Sequence, residues 1–276
     1  MITNFKIFER KKQKTLNIKE LIEILRENYD VEYLTNVLKD FLKNKNINKK
    51  YNIYGYKKTL LSIAAHYNLA SVVDILLEMG ANPNLSDKDG YPPLYDAIKH
   101  KYMQIVELLV KSDKINLNRV LYDDVHKTST TTYISATFTI NINTAKRILK
   151  LLFEYGAKPT IRDLFSSIWE HKLATMTINN CDKNIINSRD EDNDNIVDML
   201  FETGNLNLIY PLMRNGLKSE YISQYIQNFS GYYKKSIEFC NNILSKKDDY
   251  SDETIKTVEL ELKKLKKQQA IKQFNI

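Results

Sequence analysis

Thr59-Leu60-Leu61-Ser62-Ile63-Ala64-Ala65 and Pro92-Pro93-Leu94-Tyr95-Asp96-Ala97-Ile98 stand 33 residues apart, and the same offset places Val73 over Val106 and Leu76 over Leu109. A fixed period of this length marks a chain built from stacked supersecondary units. Thr59 suits the start of a helix, where its hydroxyl accepts a backbone N–H left without an intrahelical partner. Pro93 suits a first helical turn, because the donor it lacks would be unpaired there anyway. Ala64 and Ala65 are small enough to let neighbouring helices approach closely. Val72, Ile75, Leu76 and Met79 recur at three- and four-residue spacing, which gives the next helix one apolar face. A single pair of such helices cannot bury that face, whereas stacked pairs can.

Helix stops support the same register. Asn68, and Gly204 at the corresponding place, tolerate the left-handed backbone where a short first helix must end; Gly80, Gly156 and Gly216 do so for the second helix. Between them runs Val72 to Asn84, with Met79-Gly80-Ala81-Asn82-Pro83-Asn84 closing the unit. Ile148 to Ala157 repeats the helix-Gly-Ala ending, and Asp190 to Asp198 followed by Gly204 and Leu212 to Gly216 repeats the register once more. This pattern resembles the ankyrin repeat, closely over residues 51–118 and 190–217. The resemblance implies an all-α, ankyrin-type helical-hairpin solenoid with atypical N- and C-terminal capping helices.

The expected organisation is a basic segment over 1–16, a capping helix pair over 17–48, repeats over 49–84 and 85–118, a repeat with a long loop over 119–160, a degenerate repeat over 161–189, a repeat over 190–218, and a helical cap or extension over 219–276. Ile18 to Leu25 and Val31 to Leu42 are the two amphipathic helices of the first cap. The extra residues of the third repeat fall between Leu121 and Thr131, with Thr128–Thr132 irregular or helix-initiating. Asp163 to Leu173, containing Phe165, Ile168 and Trp169, reads as one first helix. In the tail, Ile255, Val258, Leu262 and Leu265 form a 3-4-3 stripe, too short for a coiled coil and suited to a capping helix.

Composition narrows the function. Of 276 residues, 43% are hydrophobic and 27% charged, with 7 Gly and 5 Pro, as in a foldable chain. Runs such as Leu108-Leu109-Val110 are too short to span a bilayer, and the first 20 residues lack the apolar core of a secretory signal. Two cysteines, Cys181 and Cys240, make no disulfide framework, so the expected setting is a reducing one: the cytoplasm, or a host cell into which the protein is delivered. The formal charge is +7, yet it lies at the ends. Residues 1–20 carry six basic side chains against two acids and residues 217–276 eleven lysines against eight acids, while the stretch between them is balanced. A nucleic-acid-binding body would carry a basic stripe along its working face, and lysine outnumbers arginine 34 to 7, so nucleic acid is not an expected partner. The four histidines have no metal-ligand spacing, no glycine-rich phosphate loop or nucleophile elbow is present, and Asp123-Asp124 and Asp190–Asp194 read as solvated turns. No enzyme, cofactor, metal or small-molecule substrate is expected.

The resemblance implies that another protein binds the concave face made by loop tips and first helices. The loop positions are Tyr51 to Lys57 and Leu85 to Tyr91; the exposed first-helix positions are His66, Tyr67, Asp96, Lys99 and His100. The candidate contact residues are therefore Tyr54, Tyr56, His66, Asp87, Asp89, Tyr91, Asp96, Lys99 and His100. Tyrosine offers a large rigid contact at low entropy cost, and Asp87, Lys88 and Asp89 offer charges that either steer a partner or keep the loop hydrated. Two other readings of the chain are a two-ended adaptor, whose C-terminal helices dock a second protein of ubiquitin-ligase type, and association with anionic surfaces through the basic ends. The tail shows no Leu-Pro box for the first.

Overall fold

The structure is a computed structural model and describes residues 16–27, 29–53, 55–87, 91–122, 130–190, 192–228 and 233–274. Tyr54, Lys88, Asp89, Asp123, Asp124, His126 and the basic run before residue 16 lie outside these. The chain divides into two compact units at the Ala157–Lys158 link.

The first unit begins with helices α1 (Ile18–Leu25) and α2 (Val31–Leu42), with the bounds expected for these two helices. Asn17 starts α1 with a reciprocal capping box to Glu20, and Asp30 starts α2 by accepting the Tyr33 N–H. A hairpin follows, β1 (Lys50–Ile53) paired antiparallel with β2 (Tyr56–Thr59), turning at Gly55. Next come α3 (Leu60–His66), α4 (Ala70–Glu78), α5 (Pro93–His100) and α6 (Met103–Val110). Thr59 accepts the Ser62 N–H at 3.1 Å, and Pro93 occupies the first turn of α5. The two-residue strands β3 (Leu121–Tyr122) and β4 (Thr130–Thr131) pair antiparallel. Thr132 then caps α7 (Tyr133–Thr137), which is followed by α8 (Ile142–Glu154). First helices α3, α5 and α7 pack side by side in one row, and α2, α4, α6 and α8 in a second. Val73, Leu76, Val106 and Leu109 are completely buried between the rows, as are Ala65 and Ala97.

The helix stops share one geometry. Ala81 N–H donates to the Leu76 carbonyl and Gly80 N–H to that of Leu77; Ala157 and Gly156 repeat the pair on Leu152 and Phe153, and Leu217 and Gly216 on Leu212 and Met213. These are Schellman closures, and the glycines have φ of +87°, +87° and +91°. The first helices stop in the same way at Asn68 (φ +58°) and at Lys101 (φ +64°), where a lysine takes the left-handed position.

An asparagine ladder ties successive units of the first body together. Asn48 Oδ1 accepts the Asn82 N–H at 2.9 Å, and Asn84 Oδ1 accepts the Asn116 N–H at 2.8 Å. Asn84 Nδ2 donates to the Lys114 carbonyl at 2.6 Å, and Asn118 Nδ2 to that of Gly156 at 3.2 Å. Arg119 locks the same loop through the Asn84 carbonyl and Ser86 Oγ.

The second unit contains α9 (Ile161–Ser167), α10 (His171–Asn179), α11 (Lys183–Ile186), α12 (Ile196–Thr203), a 3-10 turn (Leu206–Leu208), α13 (Ile209–Arg214), α14 (Ser219–Asn228), α15 (Tyr233–Leu244) and α16 (Asp252–Phe274). One difference from expectation stands out. The single helix expected over Asp163–Leu173 is two helices, broken at Ile168–Glu170, and Trp169 is 73% exposed. A continuous helix would carry Leu173, Ala174 and Ile178 away from α9; the break returns all three to the core. The sequence gives no Gly or Pro to mark that turn. Asn195 caps α12 reciprocally with Asp198, and Gly204 ends it at φ +72°. The tail helix α16 packs on α14 and α15, burying Val258, Leu262 and Leu265. Glu261 shares this buried face and reaches Lys264 at 2.7 Å.

Candidate functional site

The hairpin β1–β2 and the helices behind it enclose a cavity of about 360 Å³, lined by Ile53, Tyr56, Lys58, Ile63, His66, Tyr67, Asp87, Tyr91 and Asp96. Strand alternation explains the first three. Ile53 pairs directly with Tyr56, and Tyr51 with Lys58, so these four side chains share one face of the hairpin. That face turns toward the first helices, whereas Lys50 and Lys57 on the other face are exposed.

Lys58 is the electrostatic centre. Its Nζ lies 3.0 Å from Asp96 Oδ2 on the next repeat's first helix and 3.2 Å from Asp87 Oδ2 in the intervening loop. Its side chain is 13% exposed, those of Asp87 and Asp96 4% and 16%. Burial pulls the Lys58 ammonium down, but the two carboxylates together raise it above its ordinary value. Asp87 also organises its own loop: Oδ1 accepts the Tyr91 N–H at 3.0 Å, and the Asp87 N–H donates to the Tyr91 carbonyl at 2.9 Å. Asp87, expected either to steer a partner or to keep its loop hydrated, is a buried carboxylate held by Lys58 and the Tyr91 N–H.

Aromatic rings build the walls. Tyr91 and Tyr95 stack at 4.1 Å between centroids, and Tyr56 stands 47% exposed at the mouth. His66 lies 3.6 Å from Asp96 Oδ2, edge-on to Tyr67 at 5.3 Å and to His100 at 5.8 Å. Burial, Lys58 and His100 lower the His66 imidazole below its ordinary value against the pull of Asp96. His100 is held outside the cavity by the Asp96 carbonyl at 2.8 Å and stacks on Tyr102. Lys99 also stays outside, donating to Thr139 Oγ1 at 3.0 Å.

Five of the nine candidate residues, Tyr56, His66, Asp87, Tyr91 and Asp96, thus line one cavity; Lys99 and His100 flank it, and Tyr54 and Asp89 lie outside the described residues. Sequence reasoning missed Lys58, Ile53 and Ile63. The signal for Lys58 was its place beside the Thr59 cap, two residues from Tyr56 on one strand face.

Among the described residues, no group of three His, Cys, Asp or Glu could hold a metal ion. Burial pushes the Cys181 thiol up to about 12, with Asp163 and Asp182 adding to it, and the Cys240 thiol up to about 11, with Glu261 adding to it. No described helix is long and apolar enough to cross a membrane.

Comparison with known proteins agrees with this architecture. Residues 21–120 match the family model for ankyrin repeats in three copies. Rabankyrin-5 of Homo sapiens is 41% identical over 61 residues, 22% of this chain and 5% of that protein; the chain spans only 5–6% of the length of the curated relatives it matches. Among solved structures, the ankyrin repeat domain of Bcl-3 is similar with a TM-score of 0.57 at 18% identity, covering 72% of this chain and 86% of that one. An ankyrin repeat domain from Acinetobacter baumannii gives 0.52 at 14% identity, covering 73% and 100%. Residues 21–120 match ankyrin repeats, and the chain has an all-α helical repeat fold like that of these ankyrin repeat structures.

Proposed function

We propose that this chain is a non-enzymatic scaffold that holds a partner protein on the face formed by hairpin β1–β2 and the first helices α3 and α5. Ankyrin repeats are in general protein–protein interaction modules, and the observation that carries this reading is the ring-walled cavity at Lys58. It is concave, rich in aromatic surface and open at Tyr56, features shared with the anchoring pockets of protein interfaces. It is also preorganised, since Lys58, Asp87 and Asp96 already hold one another and need not be ordered by the partner.

The test is a photo-crosslinking residue placed at position 56, compared with one at Asp74, which is exposed on α4. Proteins captured from the native cell extract through position 56 and not through position 74 support the reading. Equal capture at both positions, or capture through 74 alone, overturns it.

A further inference from the structure

We propose that the cavity at Lys58 receives an arginine side chain from the partner, its aliphatic stem against the rings and its guanidinium on Asp96. This rests on the reading of the hairpin and first-helix face as the docking surface, and it names the chemistry of what docks.

Three observations select this occupant. The first is charge. Among the described residues the lining includes two carboxylates, Asp87 and Asp96, and one ammonium, Lys58, one negative charge in excess while His66 is neutral. The Lys58 charge is already matched twice over, so an incoming anion would have to displace a carboxylate from it, whereas an incoming cation would not.

The second is an open acceptor. Asp96 uses Oδ2 for both Lys58 and His66, and among the described residues no hydrogen bond reaches its Oδ1. Asp87 differs, because its Oδ1 accepts the Tyr91 N–H and its Oδ2 faces Lys58. Asp96 is thus the acceptor available from the cavity, and its 16% side-chain exposure leaves it reachable. A guanidinium presents its donors in a planar fork suited to a carboxylate.

The third is the wall. Ile53 and Ile63 lie beside the rings of Tyr56, Tyr67 and Tyr91. A long side chain with an apolar stem and a charged end matches such a lining. The protein's own cations show that neighbouring rings accept this contact. The Arg26 guanidinium carbon lies 5.1 Å from the Tyr67 centroid and Lys99 Nζ lies 6.0 Å from that of Tyr95, neither residue lining the cavity.

The experiment is selection of random linear peptides displayed on phage against the full chain, retaining those whose binding is lost on Tyr56→Ala. Tyr56 is at the mouth and half exposed, so this variant keeps its fold, which circular dichroism verifies. The retained peptides are expected to be enriched in arginine. A fluorescent synthetic copy of the strongest should lose about tenfold in affinity when its arginine becomes glutamine, and that loss should vanish on Asp96→Asn. Tyr56-dependent peptides without arginine, or an arginine-to-glutamine loss equal on the native chain and on Asp96→Asn, overturn the arginine assignment and leave the docking face standing. Absence of any Tyr56-dependent peptide overturns both.

Discussion

Lys58 Nζ stands 3.0 Å from Asp96 Oδ2, 38 residues further along the chain, and so joins the hairpin of one repeat to the first helix of the next. With Asp87 at 3.2 Å it forms a three-membered charge cluster that is mostly shielded from water. Such a cluster brings little net stability when intact but is costly to break. Lys58→Met should therefore lower stability by about 3 kcal/mol, because it removes the cation that two mostly buried carboxylates, Asp87 and Asp96, share. Urea denaturation at pH 7 measures this; a loss below about 0.5 kcal/mol would place the cluster among ordinary surface pairs.

The same cluster sets two pH responses. The Lys58 value is raised in the folded state, so its contribution is complete below the unfolded value near 10.5 and is lost as pH rises through the higher folded one. The His66 value is lowered, so the unfolded chain takes up the proton first and stability falls as pH drops from about 6.5 toward the folded midpoint. Titration of the His66 ring by NMR should give a midpoint below 6.5, moving up in Lys58→Met and further down in Asp96→Asn. A midpoint unmoved by both substitutions would remove His66 from the cluster.

Backbone strain predicts opposite signs at two helix stops. A Cβ added at Gly80 would meet nothing nearer than Lys114 Nζ at 3.6 Å, so Gly80→Ala should cost about 1 kcal/mol through its φ of +87° alone, and Gly80→Val more. Lys101 holds the corresponding left-handed position on a first helix at φ +64°. Lys101→Gly should stabilise by about 0.5–1 kcal/mol, despite the greater freedom it gives the unfolded chain. Thermal melts of the two variants moving in the same direction would contradict this account.

Asn84 is the ladder's most connected member, accepting from Asn116 and donating to Lys114. Asn84→Ala should cost about 2 kcal/mol, counting the two bonds to the next loop at about 1 kcal/mol each beside the local Nδ2 contact with Asn82 Oδ1. Hydrogen exchange at the Asn116 amide should accelerate more than at Val106, which lies within α6. Equal acceleration at both would mean the substitution loosens the whole unit.

Both thiols should resist labelling. Burial holds Cys181 and Cys240 at about 12 and about 11, so the thiolate is scarce at pH 8. A disulfide reagent should modify the native chain slowly and the urea-unfolded chain at once; fast reaction of the native protein would show that one thiol is accessible and ionised.

What the sequence made legible was the part encoded locally. Thr59, Pro93 and the glycines at 80, 156 and 216 each impose a backbone condition on their own neighbours, and each condition is met in the structure. The break at Ile168–Glu170 was not legible, because nothing in that stretch disfavours helix. It goes with the burial of Leu173, Ala174 and Ile178, the last two in the core shared with α12 and α13. The candidate site divides in the same way. Loop and first-helix positions follow from register, so Tyr56, His66, Asp87, Tyr91 and Asp96 could be placed together. That Asp87 is buried, and that Lys58 is its partner, depends on a hairpin strand folding over a loop some thirty residues later. Such contacts leave no mark in a single sequence.

The asparagine ladder bears on how a chain of this kind can change in length. Each rung reaches from one closing loop to the next, from Asn48 to Asn82 and from Asn84 to Asn116. The two rungs span 34 and 32 residues, so the chain between closing loops can differ in length while the loops keep their contacts. The step from Asn118 to Gly156 covers 38 residues and contains the pairing of Leu121–Tyr122 with Thr130–Thr131, so added length is compatible with the ladder wherever the asparagines at both ends still reach their partners.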